Sequence, residues 1–236
     1  MANLHKIKQL FYLRGGQMDR EQVNFACGIL NKSGVIALPT DTLYGLAAVA
    51  NDSKALDKIY KIKGRDAGKP LAVCVADVAE IPQVADIGKN DMDVFRSLLP
   101  GPVTLVLKRS SSLNKDLNPN VPTIGVRVPC HNFIIALCDQ LGPLALTSAN
   151  KSGEKSPLVI DDFKEIWDEL DCIFDAGPTR ENFVEQSNVF SKERAGSTVI
   201  DLSDQERKYY KIIREGCALH RSINILTRFG YRRKQH

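Results

Sequence analysis

The apolar run Val35-Ile36-Ala37-Leu38 stops at Pro39 and gives way at once to Thr40, Asp41 and Thr42. A run this short reads as a buried strand rather than a helix. Proline closes it because it has no N–H to give to a sheet ladder. The same grammar recurs: Leu71–Ala76, Val103–Leu107, Thr123–Val128, Leu144–Leu146, Cys172–Phe174, Ser197–Leu202 and Tyr209–Arg214 all read as strands. Between them, apolar residues at helical spacing predict helices over Asp19–Asn31, Lys54–Lys63, Val78–Ala85, Asp91–Leu99, His131–Leu141, Asp162–Leu170 and Ala218–Phe229. Strands alternating with helices predict an α/β domain on a twisted, mixed sheet with flanking helices. Ligands of open α/β sheets sit beyond the carboxyl ends of the strands. The hydroxyls and carboxylate after Leu38 are therefore expected to face a crevice.

Length and charge narrow the function classes. At 236 residues, with 43% hydrophobic and 25% charged, the chain can bury a core without staples. A net charge of +4 permits an anionic substrate and does not demand nucleic acid. The six cysteines form no Cys-x-x-Cys pair and are expected to be buried thiols in a reducing compartment. The four histidines lack metal-ligand spacing, so no tightly bound protein metal site is expected. No apolar run reaches the length of a transmembrane segment. Residues 1–18 are expected to be a flexible tail. The first seventeen lack acids and carry Lys6, Lys8 and Arg14, which leaves a mitochondrial presequence as the other reading. The polar stretch Arg109–Pro122 reads as a mobile loop, and residues 230–236 as a basic tail.

Several residues carry two readings. Gly64 suits the C′ position of the helix ending near Lys63. Lys63, Arg65 and Lys69 there either complement the helix dipole or form an anion site. Ser148 and Asn150 read as a turn or a cap, or as site residues at a strand end. Arg127, flanked by Val126 and Val128, must face solvent or find an acidic partner. No Gly-x-x-x-x-Gly-Lys-Ser/Thr string is present, so phosphates are not held by a P-loop.

The segments PTDTLYGL, KIKGR, KPLAV, PGPVTLVLK, IGVRVP and ALTSAN occur in this order, and together they resemble the YrdC-like family of threonylcarbamoyl-AMP synthases from Gly28 to Gly216. The resemblance implies a single YrdC-like domain over 19–229, built around a basic crevice. It implies joining of L-threonine, bicarbonate and ATP into threonylcarbamoyl-AMP and pyrophosphate, without a protein nucleophile. Lys63 and Arg65 would be the catalytic pair, gripping the triphosphate. Thr123, Ser148, Asn150, Ser156 and Arg214 would complete the ATP site, and Thr40, Arg127 and Ser197 would hold threonine. Mg²⁺ would arrive with ATP. The downstream partner would be a threonylcarbamoyl-transferase complex acting on tRNA, with weak tRNA or RNA binding by the chain itself, in the cytoplasm and also the mitochondrion. Lys69 and Gly196 depart from residues common at those positions in relatives. Two other readings stay open: a non-catalytic RNA-binding module with a basic crevice, and a carbamoyl-adenylate-forming enzyme fed by carbamoyl phosphate, as in hydrogenase maturation.

Overall fold

Alternation along the strands decides what each face of the sheet meets. In β2 (Ile36–Pro39), Ile36 and Leu38 point to one apolar cluster, while Val35 and Ala37 point to another. Both faces are covered there, which is why the strand reads as a continuous apolar run. One cluster contains Val23, Ala26 and Leu30 of α1 (Arg20–Leu30) and Phe133, Ile134 and Leu137 of α5 (Asn132–Leu141). The opposite cluster contains Leu56 and Ile59 of α2 (Ser53–Ile62), Ile81 of α3 (Ile81–Val84), Phe95 of α4 (Met92–Leu98) and Leu226 of α6 (Leu219–Arg228).

The computed structural model describes residues 7–13, 19–64, 70–179, 194–204 and 208–234. The other strands are β1 (Leu10–Tyr12), β3 (Tyr44–Val49), β4 (Ala72–Cys74), β5 (Ala85–Asp86), β6 (Val103–Arg109), β7 (Thr123–Arg127), β8 (Leu144–Ser148), β9 (Cys172–Asp175), β10 (Thr198–Asp201), β11 (Tyr209–Arg214) and β12 (Arg232–Arg233). They form a mixed sheet in the order β1-β9-β2-β3-β8-β4-β7-β6-β10-β11-β12, with β5 paired to β6. The expected α/β domain with a twisted mixed sheet and flanking helices is what is found. Among the described residues no helix is long and apolar enough to cross a membrane.

Caps fix the helices where local chemistry asked for them. Asp52 accepts from the N–H groups of Lys54 and Ala55 at the start of α2. Gly64 follows the C-cap Lys63 with φ +60°, the left-handed conformation glycine adopts without a Cβ clash.

Five expectations need correction. β3 was not foreseen, because Gly45, Ala47 and Ala48 give it little β-branched character. Its ladders to β2 and β8 impose the strand. The tail expected over 1–18 contains β1, which pairs parallel with β9 and stacks Phe11 on Phe174 at 5.7 Å. The tail expected from 230 contains β12, which is paired to β11, and begins beside buried Tyr231, whose hydroxyl donates to Asn90 Oδ1 at 3.0 Å. The loop expected to be mobile is tied down. Leu113 and Leu117 are buried, Arg109 donates to the carbonyls of Leu117 and Asn114, and the Asn118 amide bonds both backbone groups of Leu71. Asn118 thereby satisfies Leu71, one residue before β4, as a sheet partner would. The helix expected from Asp162 is a 3₁₀ segment, Ile160–Glu169, broken at Phe163.

Candidate functional site

The period-2 pattern of β6 and β7 builds a cavity. Ile124 and Val126 enter the core, so Thr123, Gly125 and Arg127 face the other side of the sheet. On β6, Leu105 and Leu107 enter the core while Thr104 and Val106 face the same way as Gly125. The result is a cavity of about 360 Å³ across the middle strands, closed by Thr40, Thr42–Gly45, Pro70–Ala72, Leu146–Ser148 and Gly196–Ser197, with Arg214 at its rim. That volume suits a small-molecule ligand. Glycines keep it open. A Cβ on Gly125 would lie 2.9 Å from Thr104 Cγ2, and one on Gly45 would lie 2.7 Å from Leu146 Cδ1. A glycine inside a strand is itself a sign of close approach. That signal in IGVRVP could have pointed to the cavity floor.

Arg127 finds the acidic partner its setting demanded. Its Nη2 donates to Asp41 Oδ1 at 2.6 Å, and Asp41 Oδ2 accepts from the Cys130 N–H at 3.1 Å. The Asp41 side chain is 0% exposed and that of Arg127 is 9%. Arg127 Nε is buried with no hydrogen-bond partner among the described residues. A buried donor without an acceptor, on a residue lining a cavity, is a site waiting for one. His131 lies close enough to feel the Asp41 charge. Burial nonetheless lowers its pKa from the ordinary value.

Asp41 was noted in the sequence only as one member of a polar cluster. Its importance comes from the 86-residue separation that the fold closes. Removing it strands a buried guanidinium and an N–H together. Asp41→Ala is therefore expected to destabilise the protein by about 3–5 kcal/mol, measured by urea unfolding. A midpoint unchanged from wild type would show that the pair is solvated.

Ser197 and Arg214 come together at the other side of the cavity. Arg214 donates through Nη2 to the carbonyl and the hydroxyl of Ser197, both at 3.0 Å, and the Ser197 hydroxyl lies 2.7 Å from that of Thr104. Burial of part of the side chain, and then the charge of Arg127, lower the Arg214 pKa from its usual value. No carboxylate is ion-paired to Arg214 among the described residues. Gly216 holds this corner by close approach, since a Cβ there would lie 2.3 Å from the Ser197 carbonyl carbon.

Of the sequence-derived site residues, Thr40, Thr123, Arg127, Ser148, Ser197 and Arg214 line the cavity. The Thr40 hydroxyl is already engaged: it donates to the Leu43 carbonyl at 2.8 Å and accepts from the N–H groups of Thr42 and Leu43. It shapes a turn rather than offering a free hydroxyl. Lys63, expected to grip the triphosphate, is not among the residues lining the cavity. It is 1% exposed, and its ammonium donates to the Ser148 carbonyl at 2.7 Å, to Asn150 Oδ1 at 3.1 Å and to the Asn150 carbonyl. Asn150 is likewise buried and spends its amide on the Glu154 carbonyl. Ser156 does not line the cavity; its carbonyl accepts from Arg194, which also bonds Asp162. Arg65 and Lys69 lie outside the described residues. Thr42, Thr104 and Asp41 are site residues that sequence reasoning did not assign.

The chain matches the Sua5/YciO/YrdC family, described as "Telomere recombination", over residues 28–216. It is 44% identical over 218 residues to a threonylcarbamoyl-AMP synthase of Bos taurus, covering 92% of this chain and 75% of that protein. Its fold is similar to that of Pyrococcus abyssi Sua5 complexed with L-threonine, with a TM-score of 0.77 and 27% identity, covering 95% of this chain and 62% of that one. The chain thus spans less than two thirds of that solved protein. It is also similar to E. coli YciO, with a TM-score of 0.74 and 26% identity over 89% of this chain and 96% of that one. With most of its length inside the family match and its cavity built from the matched segments, the chain belongs to the Sua5/YciO/YrdC family.

Proposed function

We propose that the chain is an L-threonylcarbamoyladenylate synthase. The observation that carries this reading is the pair of arginines facing one cavity. Arg127 has a buried Nε without a partner and only one of its contacts spent on Asp41; Arg214 has no ion pair among the described residues. Among the described residues, no carboxylate lines the cavity. Such a pocket attracts anions, and the substrates of this reaction are a carboxylate, a bicarbonate and a triphosphate. The names of the relatives point the same way.

In this reading the amine of threonine takes up CO₂ from bicarbonate, with loss of water, to give a carbamate. A carbamate oxygen attacks the α-phosphorus of ATP, and pyrophosphate leaves. The products are threonylcarbamoyl-AMP and pyrophosphate. Arg127 binds the threonine carboxylate, because a guanidinium in the cavity wall matches a carboxylate fork. Ser197, fixed by Thr104 and Arg214, stands beside it. Arg214 at the rim and Arg65 neutralise phosphate charge as it redistributes. Lys63 holds Ser148 and Asn150 in place and acts through them, a positioning residue. Among the described residues the cavity lining has no carboxylate cage, so Mg²⁺ would travel with ATP and supply charge neutralisation there. The adenylate would be consumed by a transferase acting on tRNA.

The test is incubation with ATP, Mg²⁺, bicarbonate and labelled threonine, followed by mass detection of the adenylate. Threonine-dependent release of pyrophosphate with no threonylcarbamoyl-AMP would refute the assignment, as would activity that survives EDTA.

The absence of a protein nucleophile from this scheme has its own consequence. Cys130 is exposed and Cys217 half-buried, a correction to the expectation that all the thiols are buried. Cys27, Cys74, Cys138 and Cys172 are buried, and burial pushes Cys74 and Cys172 up to about 12. Native alkylation is expected to label Cys130 first and leave adenylate formation within about twofold of the untreated protein, since the Cys130 contact to Asp41 is made by the backbone N–H. Stoichiometric inactivation on that labelling, prevented by ATP, would contradict the scheme.

A further inference from the structure

The register of the sheet sets Thr104 beside the arginine of the cavity wall. β6 and β7 run antiparallel, with Leu105 opposite Val126 and Val106 opposite Gly125. One step along the same register, Thr104 stands opposite Arg127. Both residues line the cavity, so their side chains are cross-strand neighbours on one face. On its other side Thr104 is paired with Val199 of β10. Ser197, two residues before Val199, turns to the same face by alternation and also lines the cavity. Thr104 therefore sits between Arg127 and Ser197.

The Thr104 side chain has little freedom. Branching at Cβ restricts its rotation. Its methyl group lies over Gly125, where a Cβ would come within 2.9 Å of Cγ2. Its hydroxyl lies 2.7 Å from that of Ser197, and the residue is 6% exposed. Each hydroxyl has one hydrogen to give, and the contact between the two uses one of them. The Ser197 oxygen also accepts from Arg214 Nη2 at 3.0 Å. Among the described residues neither hydroxyl donates to any other acceptor. One hydroxyl hydrogen of the pair is thus left for an acceptor inside the cavity.

The charge of Arg214 decides which hydrogen that is. A guanidinium bonded to the Ser197 oxygen polarises the hydroxyl, making it a stronger donor and a poorer acceptor. Ser197 then donates to Thr104, and Thr104 keeps the remaining hydrogen. We infer that Thr104 reads the side-chain hydroxyl of the amino-acid substrate, with Ser197 and Arg214 as positioning residues that orient and polarise it. The identity of that substrate rests on the proposed function. In a β-hydroxy amino acid the carbons bearing the carboxylate and the hydroxyl are bonded to each other. The group that reads the hydroxyl must then adjoin the group that holds the carboxylate, and Thr104 adjoins Arg127. An analogue without the hydroxyl leaves the Thr104 hydrogen buried and unpaired, which is the penalty that produces discrimination.

The experiment is isothermal titration calorimetry of the full chain with threonine, serine and valine, in the absence of ATP. The wild type is expected to bind threonine roughly 10²-fold more tightly than valine. Thr104→Val keeps the shape and branching of the side chain and removes only the hydroxyl. It is expected to bring the two affinities within about threefold of each other. Thr104→Ser restores the hydroxyl and should recover most of the preference. Ser197→Ala leaves the Thr104 hydroxyl in place and should lower the preference by about tenfold at most. Thr104→Ala gives the same comparison in case the valine variant does not fold. A purely structural role for Thr104 would weaken threonine and valine binding alike, and that unchanged ratio would overturn the inference. Loss of the preference in Ser197→Ala with its retention in Thr104→Val would overturn it too, by making Ser197 the reader. Equal binding of threonine and valine by the wild type would do the same. The measurement involves no turnover. A wild type that forms no adenylate, yet prefers threonine and loses that preference in Thr104→Val, would refute the synthase reading and leave Thr104 as the hydroxyl reader.

Discussion

Arg127→Lys is expected to raise the threonine concentration needed for half-maximal adenylate formation by roughly 10- to 150-fold, with the ATP requirement changed far less. The arginine carries two duties at once. Nη2 is held by Asp41 at 2.6 Å, while the buried Nε has no hydrogen-bond partner among the described residues. Lysine can keep a charge beside Asp41, but it has no second donor set in a fixed plane to offer a carboxylate. A lost hydrogen bond to a charged group is worth about 1.5–3 kcal/mol, which sets the expected range. Competition kinetics on both proteins with threonine, serine and valine separate carboxylate binding from hydroxyl reading. For the wild type, valine should be poorer than threonine by roughly 10²-fold or more, because a site that bonds a hydroxyl is left unpaired by its absence. Serine should lose about 10- to 200-fold for its missing methyl. The structure alters which group does the reading. Thr40 is engaged in its own turn, so Ser197 with Thr104 is the better-placed pair. Equal use of valine and threonine would remove the hydroxyl-reading site. Unchanged threonine dependence in Arg127→Lys would remove Arg127 from it.

Lys63→Ala is expected to lower both stability and activity, and the combination is diagnostic. In a direct phosphate grip, loss of the ammonium would cut the rate and leave the fold unchanged. In the structure the ammonium is buried and bonded to the Ser148 and Asn150 carbonyls and to Asn150 Oδ1. Alanine removes the donor from these oxygens, at about 1–3 kcal/mol for each buried group left unsatisfied, and opens a void under β8. The expected result is a loss of about 2–4 kcal/mol in urea unfolding, with adenylate formation down at least tenfold. Arg65→Ala, tested beside it, should reduce the rate by a similar factor through loss of a phosphate contact. A Lys63→Ala protein with wild-type stability and a tenfold slower reaction would restore the direct-grip reading.

Lys63 shows where sequence reasoning loses its hold. Its position was legible: helical spacing carried α2 to Ile62, and Gly64 marked the stop. What the side chain touches depends on Ser148 and Asn150, which are 85 and 87 residues away. The same holds for Asp41. Sequence placed it in a polar cluster after a strand, and only the fold brought Arg127 to it. Local pattern reports which face a residue occupies; it does not report what stands opposite.

The elements themselves were mostly written in the chain. Helical spacing specified α1, α2 and α5, with Asp19 and Asp52 capping the first two and Gly64 and Gly142 closing the last two, because these signals act within one or two turns. Apolar runs specified β2, β6, β7 and β8, because both of their neighbours in sequence are turn or breaker residues. Motif order specified the family. Tertiary structure alone decided β1, β3 and β12, since each is held by ladders to strands distant in sequence or by a ladder its own composition does not favour. It also decided that the polar stretch after Arg109 is fixed. Two leucines there find the core, and Asn118 finds the backbone of Leu71. The cavity belongs to both levels. Alternation turned Thr123, Gly125 and Arg127 to one face, a property of five consecutive residues. That Thr104, Ser197 and Arg214 stand across from them follows from pairing β6 with β7 and β10, and β10 with β11, because strand neighbours are chosen by burial over the whole chain.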